Sequence, residues 1–189
     1  PPPRAPCNPP RHIAGSASSG DSGDGVGWPA SSPYVTAVGG TTLNRASNSR
    51  GWSETAWSGA GSGCSTLNAA LTGASTFNTG CSKRAEADVS AVANPSTGVA
   101  VYDSTPYGGR SGWQVYGGTS VSSPIVASVF ALAGNAASIN NNYPYSHSGS
   151  FFDVTSGSNG SCSPSQLCKA RAGWDGPTGL GTPNGIGGF

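Results

Sequence analysis

One stretch of the chain repeats apolar residues at helical spacing, and small or apolar side chains fill the positions between them. The repeating positions are Val121, Ile125, Val129 and Leu132. A helix that is apolar on nearly all sides is typical of a buried one. Pro124 is tolerated only in a first turn, and Gly134 is a natural C-terminal stop. The pattern therefore predicts a buried helix that starts near Ser120.

Shorter apolar runs, bounded by Gly and Pro, predict β-strands. They cover residues 13–18, 34–38, 98–102 and 113–116, with a further short strand at 55–57. Residues 44–82 are otherwise rich in Ser, Gly, Asn and Thr, which predicts a long surface loop. The chain after Gly134 is polar and irregular. These elements are enough for a small, glycine-rich α/β core.

Composition narrows the class of protein and its partners. The chain has 189 residues, 9% of them charged, and a formal net charge of +1. The basic residues are scattered, which argues against nucleic acid as a partner. No apolar run reaches a membrane-spanning length, and no cleavable signal peptide is visible. Residues 1–13 contain six prolines and predict a leader or non-native junction, so residues 14–189 form the expected domain.

Five cysteines are present, and four of them form two closely spaced pairs. Cys64 with Cys81 and Cys162 with Cys168 each bracket a polar loop, so we predict two local disulfides, with Cys7 free. Neither pair has the Cys-x-x-Cys spacing of a zinc site. Disulfides imply an oxidising compartment, and few charges with many Ser, Thr and Gly residues also indicate a secreted protein.

Ser120 follows a glycine turn and opens the predicted helix. Free N–H groups and the positive end of the helix dipole converge there, which favours a developing anion. A nucleophilic serine is one interpretation, and an ordinary N-cap serine is the other. The flanking residues do not form the Gly-x-Ser-x-Gly elbow of α/β-hydrolases, because Ser122 replaces the second glycine.

The motif Gly-Thr-Ser-Val-Ser-Ser-Pro at 118–124 resembles the serine signature shared by subtilisin-like and sedolisin (serine-carboxyl) peptidases. Further motifs resemble sedolisins in particular, and they lie at 18–23, 29–41, 87–91, 152–155 and 173–175. The resemblance runs from about Ala14 to Phe189 and implies the C-terminal part of a sedolisin catalytic domain. The implied fold is α/β and subtilisin-like, with a doubly wound, mainly parallel sheet.

The resemblance also implies roles for two residues of this chain. Ser120 would be the nucleophile of a serine endopeptidase that cuts peptide bonds by acyl transfer. Asp21 would supply the oxyanion-hole donor, and a carboxyl group donates only when it is protonated, so the enzyme should prefer acid. Without the resemblance, Asp21 in Gly-Asp-Ser-Gly would be read as an Asx-turn residue.

A calcium site is implied near the end of the chain. By resemblance, Asp153 and Asp175 give side-chain oxygens, and Val154, Arg171 and Gly173 give main-chain carbonyls. Oxygen donors of these kinds are the ligands that Ca²⁺ prefers. Arg171 stands where sedolisins usually have glycine. Two turn aspartates without a metal are the alternative interpretation.

The general base expected of a sedolisin is missing from this sequence. Sedolisins use a glutamate that is oriented by an aspartate four residues later. Position 58, four after Glu54, and position 90, four after Glu86, are both serine. We therefore expect this chain alone to be inactive and to require a missing N-terminal half of the domain.

Two alternatives to a sedolisin-type endopeptidase remain at this stage. A Ser–His hydrolase could use His147, since His12 lies in the Pro-rich leader. The chain could instead be a non-catalytic secreted module on the same scaffold. If the chain is part of a sedolisin-type endopeptidase or of a Ser–His hydrolase, its partners are protein or peptide substrates.

Overall fold

The computed structural model describes residues 13–189. Cys7, His12 and all of the predicted leader except Ile13 lie outside the described residues, so the predictions made for them stay predictions. No helix in the described part is long and apolar enough to cross a membrane.

The described chain contains short strands, one long helix and several single turns of helix. The strands are β1 (Ser16–Ser18), β2 (Thr36–Arg45), β3 (Trp52–Ala56), β4 (Gly63–Cys64), β5 (Ala85–Glu86), β6 (Val89–Val92), β7 (Val99–Tyr107), β8 (Arg110–Tyr116), β9 (Phe151–Phe152) and β10 (Thr182–Pro183). The α-helices are α1 (Thr119–Ala133) and α2 (Tyr143–Ser146). The 3₁₀ turns are Gly73–Phe77, Pro95–Thr97, Ser148–Ser150 and Ser165–Leu167.

The central sheet is built around β2. Its first half pairs in parallel with β1, and β6 pairs in parallel on its other side. Its second half pairs with β3 in an antiparallel register, Thr41 opposite Ala56 and Arg45 opposite Trp52. The mainly parallel α/β architecture expected from the sequence is confirmed. β2 is longer than the predicted strand because it continues through Gly39 and Gly40.

β1 leaves one main-chain edge open. The Thr36 N–H donates to the Gly15 carbonyl, and the Ser19 N–H donates to the Val38 carbonyl. In a parallel strand, the main-chain N–H and C=O groups of successive residues point to opposite neighbours. Those of Ser16 and Ser18 therefore face away from β2. In the described part of the chain, β2 is the only strand that pairs with β1.

Helix α1 lies across this sheet and contacts β1, β2 and β6. Its boundaries confirm the prediction, and Gly134 ends it in the left-handed region with φ 70°. Val126 and Phe130 are buried against the sheet, and the Phe130 ring meets that of Phe189 edge to face at 5.0 Å. The main core also contains Val38, Val89, Trp174 and Leu180.

The prediction that α1 is buried on nearly all sides is wrong for the described chain. Its side away from the sheet is exposed; this outer face consists of Ser120, Pro124, Ala127, Ser128, Ala131 and Leu132. Leu132 is 74% exposed. The physical reason is that, among residues 13–189, the sheet covers only one side of the helix.

Strands β7 and β8 form a long antiparallel hairpin where the sequence predicted two short separate strands. Ala100 pairs with Val115 and Tyr102 with Trp113. Both faces of the hairpin carry exposed residues, and the Tyr102 and Trp113 rings meet edge to face at 5.5 Å. Cross-strand pairing therefore holds the hairpin together where little of the described core supports it.

Both predicted disulfides are present. Cys64 is joined to Cys81 and Cys162 to Cys168. The segment between residues 44 and 82 is less irregular than predicted, because it holds the end of β2, all of β3 and β4, and a 3₁₀ turn.

A cluster of charged side chains is fully buried beside β2. Arg84 donates from its two terminal nitrogens to the two carboxylate oxygens of Asp88, with Nη1 to Oδ1 at 2.6 Å. The Tyr145 hydroxyl and the Ala37 N–H also donate to Asp88. Burial opposes the charge on Arg84, but the attraction of Asp88 outweighs it, so the pKa of Arg84 is raised. The Asp88 carboxylate therefore accepts hydrogen bonds on both of its oxygens.

Glu86 lies in the same segment without such partners. It is fully buried, and neither of its carboxylate oxygens has a well-formed hydrogen bond among the described residues. Burial raises the pKa of Glu86 from 4.5 to about 8; nearby Arg84 and a weak contact with the Gly27 main chain oppose the rise, and Asp88 adds to it. Glu86 therefore favours its neutral form up to about pH 8.

Candidate active site

The start of α1 meets the loop that follows β1. The Thr119 N–H donates to Asp21 Oδ1 at 2.7 Å, and the Thr119 hydroxyl lies 2.8 Å from the same oxygen. The Gly20 N–H donates to Thr119 Oγ1 at 3.0 Å. These bonds join residues that are 98 and 99 positions apart in the sequence. They bring Asp21 beside Ser120, the two catalytic residues that the sequence predicted.

Gly118 leaves open the space between these two side chains. Its φ of 96° is one that residues with a side chain rarely adopt. A Cβ built on Gly118 would lie 2.6 Å from Asp21 Oδ2 and 3.0 Å from Ser120 Oγ. The carboxyl oxygen and the hydroxyl oxygen therefore both lie close to the Gly118 backbone, where any side chain would collide with them. A reacting carbonyl group placed beside the two oxygens would be within reach of both.

Ser120 is exposed and lies in the first turn of α1. The Thr119 N–H donates there to Asp21 and the Val121 N–H to the Gly118 carbonyl, while the Ser120 N–H has no described acceptor. It also lines an open groove of about 600 Å³ between α1 and the hairpin. The groove walls are mostly apolar and aromatic, and they include Tyr102, Pro106, Tyr107 and Tyr116. An extended polypeptide could reach Ser120 along this groove.

No histidine or carboxylate is described in hydrogen-bond contact with the Ser120 hydroxyl. Asp103 lines the same groove, and its Oδ1 accepts from the Thr105 N–H at 2.8 Å. His147 stacks on the Tyr143 ring at 3.9 Å, and its Nδ1 lies 2.9 Å from the Tyr143 carbonyl oxygen. Glu54 binds Arg50, and Glu86 is buried in the core. Within residues 13–189, Asp21 is the only acidic side chain with a described contact to the serine turn.

The predicted calcium ligands come together in one loop region. Asp153 is exposed and accepts a hydrogen bond from the Gly173 N–H at 2.8 Å. Asp175 is buried and accepts from the Arg171 N–H through Oδ2 and from Thr178 through Oδ1. Burial raises the pKa of Asp175 to about 7; its three hydrogen bonds oppose the rise, and the charge of Asp153 adds to it.

The donor set of this loop fits a hard cation. Two carboxylates lie close enough to repel each other, and a bound cation would relieve that repulsion. The described residues contain no cluster of three or more His, Cys, Asp or Glu side chains, so further ligands would be carbonyls and water. Arg171 is not in the left-handed region, where Asn78 is the only described non-glycine residue. Arginine at this position is therefore compatible with the loop.

Sequence reasoning missed the part played by Thr119 and Gly118. The motif at 118–124 was compared as a whole with the serine signature of these peptidases, and no separate role was predicted for either residue. The signal was present, since a hydroxyl residue at the first helical position is well placed to bond a loop that faces the helix start.

The described fold is found in known peptidases. An S41 psychrophilic protease and sphericase superpose with a TM-score of 0.52 each, at 20% and 16% identity, over 87% and 89% of this chain. At that identity they show the fold alone. The class is therefore that of the subtilisin-like α/β fold, here as a partial domain.

Within this class, the chain is similar to sedolisins. It is 35% identical over 202 residues to sedolisin of Pseudomonas sp. (strain 101), covering 88% of this chain and 32% of that protein. It is 34% identical over 197 residues to kumamolisin of Bacillus sp. (strain MN-32), covering 90% of this chain and 34% of that protein. No family model matches the chain.

A solved structure gives the same result. Pseudomonas sedolisin, a serine-carboxyl proteinase complexed with two molecules of pseudo-iodotyrostatin, has a TM-score of 0.73 and 31% identity. The match covers 90% of this chain and 53% of that chain. The chain is a homologue of sedolisin and kumamolisin over about nine-tenths of its length, as its motifs predicted. It spans about a third of the length of the curated relatives that it matches.

Proposed function

We propose that this chain carries the nucleophile and the oxyanion-hole acid of a sedolisin-type serine-carboxyl endopeptidase. One observation carries the proposal: Asp21 Oδ2 and Ser120 Oγ both lie beside the Gly118 backbone. An arrangement of this kind suits acyl transfer, because the hydroxyl can attack a carbonyl carbon while the carboxyl group donates to the carbonyl oxygen.

In the proposed reaction, Ser120 Oγ attacks the carbonyl carbon of a peptide bond in a protein or peptide substrate. The negative charge that develops on the carbonyl oxygen accepts hydrogen bonds from the protonated Asp21 carboxyl and from the Ser120 N–H. The amine leaves with the proton that Ser120 gave up, and water then hydrolyses the ester to release the carboxylic acid and restore the Ser120 hydroxyl. Asp21 donates only when protonated, so the reaction should be favoured by acid.

The hydroxyl proton of Ser120 requires a base that the described residues do not place beside it. We infer that the base comes from a polypeptide corresponding to the part of sedolisin that has no counterpart here. The outer face of α1 supports this inference, because it begins at Ser120 itself and continues through small or apolar residues to Leu132. The open edge of β1 offers the same polypeptide a parallel strand partner.

The activity of the chain with and without this polypeptide tests the proposal. The 189-residue chain should show no Ser120-dependent cleavage of a denatured protein substrate at acid pH. The chain joined to an upstream segment that carries Glu-x-x-x-Asp should cleave it. Ser120→Ala should abolish that cleavage, and Ser128→Ala on the same helix should retain it.

Each outcome decides between the candidate functions. Ser120-dependent cleavage by the chain alone would refute the missing base, and His147→Ala would then identify or exclude a Ser–His hydrolase. No cleavage by the completed chain would favour a non-catalytic secreted module, the function that the missing base would also fit.

We further propose that one calcium ion is bound by Asp153 and Asp175, with carbonyl oxygens of Val154, Arg171 and Gly173. The ion would offset the repulsion between the two carboxylates and brace the loop between them. The paired cysteines support secretion, which would expose this site to extracellular calcium.

Chelation tests the calcium site. EDTA should lower the melting temperature of the chain, because an ion bound only by the folded state stabilises it. Asp153→Asn, at an exposed position, should remove that sensitivity, and so should Asp175→Ala if this buried variant folds. Asp24→Asn, an exposed turn acid, is the matched control and should retain it. An unchanged melting curve in EDTA would refute the site.

A further inference from the structure

The two oxygens of the Asp21 carboxyl group have different surroundings. Oδ1 lies 2.7 Å from the Thr119 nitrogen and 2.8 Å from the Thr119 hydroxyl oxygen. Oδ2 faces the space above Gly118, on the side of Ser120. One carboxyl oxygen is therefore bound to the start of the helix, and the other lies beside Gly118 on the side of Ser120.

The Thr119 hydroxyl is held in place by its own surroundings. Thr119 is 1% exposed, and its Cγ2 methyl group packs against the β2 backbone at Gly40. Its oxygen accepts a hydrogen bond from the Gly20 N–H, which leaves the hydroxyl proton to be donated. Two acceptors are within reach, and Asp21 Oδ1 at 2.8 Å is nearer than the Gly20 carbonyl at 3.1 Å.

Counting lone pairs shows what this arrangement does to a protonated carboxyl group. A carboxyl oxygen accepts about two hydrogen bonds, and Oδ1 receives one from the Thr119 N–H and one from the Thr119 hydroxyl. An acidic proton on Oδ1 would have to replace one of them. The proton on Oδ2 leaves both bonds intact and points toward the space above Gly118.

We propose that Thr119 is a positioning residue that fixes the acidic proton of Asp21 on Oδ2, the oxygen that faces Ser120. This inference rests on the proposed role of Asp21 as a hydrogen-bond donor in the oxyanion hole. It explains why the donated proton points toward Ser120: Thr119 hydrogen-bonds Asp21 Oδ1, so the proton stays on Oδ2. Thr119 itself touches neither substrate nor the reacting atoms.

Infrared spectroscopy of the chain labelled with ¹³C at its aspartate carboxyl groups tests this directly, without any need for activity. The C=O stretch of protonated Asp21 is identified at acid pH by its loss in Asp21→Asn. Thr119→Val keeps the side-chain shape and removes the hydroxyl, so the C=O of Oδ1 loses one of two donors. The Asp21 band should then move to higher wavenumber. Thr119→Ser keeps the hydroxyl, and its band should stay at the parental position.

Circular dichroism and the melting curve establish that the variants are folded, and Thr119→Ala replaces Thr119→Val if the valine variant is not. An Asp21 band that does not move in a folded variant without the hydroxyl would overturn the inference. Turnover by the completed enzyme separates this failure from that of the proposed function. If the band moves in Thr119→Val while Asp21→Ala retains the kcat of the completed enzyme, the hydrogen bonds are as inferred but Asp21 is not the oxyanion donor.

Discussion

The two sides of helix α1 have opposite characters. The side toward the sheet is closed: Val126 and Phe130 are buried there, beside a core that also holds Arg84 and Asp88 as a satisfied pair. The outer face is open, although its residues are small or apolar, and Leu132 is 74% exposed. A polar network is thus buried and an apolar face uncovered in the same molecule. The difference shows that a face of this chain is buried only where other described residues pack over it, whether its side chains are apolar or charged.

The largest loss of stability should follow removal of a charge partner on the closed side. Asp88→Ala leaves the Arg84 guanidinium buried without its carboxylate, which should cost about 3–5 kcal/mol of unfolding free energy. Urea denaturation followed by circular dichroism measures this cost. Asp24→Ala removes an exposed carboxylate and should change the free energy by less than about 0.5 kcal/mol. Equal effects of the two substitutions would contradict the contrast between closed and open regions.

A smaller, pH-dependent effect is expected from Glu86. Its folded-state pKa of about 8 lies above the unfolded value of 4.5, so the folded state favours the protonated form. The stability contributed by Glu86 is fully present below pH 4.5 and is lost as the pH rises toward 8. The loss is about 1.4 kcal/mol per pH unit, or roughly 3 kcal/mol at pH 7.

Glu86→Gln should therefore remove the part of the pH dependence that comes from Glu86, while the part that comes from buried Asp175 remains. The variant and the parent should unfold at similar urea concentrations near pH 4, and the variant should be the more stable of the two at pH 7. Glu54→Gln, which alters a carboxylate paired with Arg50, is the control and should not produce a gain at pH 7. A parental stability that stays constant between pH 4.5 and 8 would show that Glu86 is not buried as described.

The smallest effect should come from the open side. Leu132→Ala removes an exposed leucine and should change the stability of the isolated chain by less than about 0.5 kcal/mol. Phe130→Ala, two residues earlier on the closed side, should cost about 3–5 kcal/mol. The same substitution can be measured in the chain joined to the upstream segment. There Leu132→Ala should be clearly destabilising, because the outer face would be covered. A negligible effect in both forms would mean that this face stays open.

Local patterns predicted much of the fold. Pro124 and Gly134 fixed the helix ends, and cysteine spacing identified both disulfides, because caps and short loops depend on neighbouring residues. The exposure of the outer face of α1 could not be predicted, since an apolar pattern indicates a covered face without saying which polypeptide covers it. The length of the β7–β8 hairpin was also missed, because Asp103, Ser104 and Thr105 weaken the strand pattern within it.

The site was predicted in part. The resemblance paired Asp21 with Ser120, and the structure places both beside Gly118. Their geometry depends on contacts across nearly 100 residues, so neither the task of Thr119 nor the free Oδ2 follows from local sequence. The calcium ligands remain a prediction, although their loops do meet. The burial of Glu86 was not foreseen, because a single acidic residue between two alanines gives no signal of its depth.

Both disulfides close within the chain and span only 17 and 6 residues. Three of the four cysteines, Cys64, Cys81 and Cys162, pack against the main core, away from the outer face of α1. Disulfide formation in this chain is therefore a local event that involves only neighbouring segments. Reduction of the disulfides and removal of the polypeptide proposed to cover α1 should accordingly destabilise the protein additively, since the cysteines are not part of the outer face.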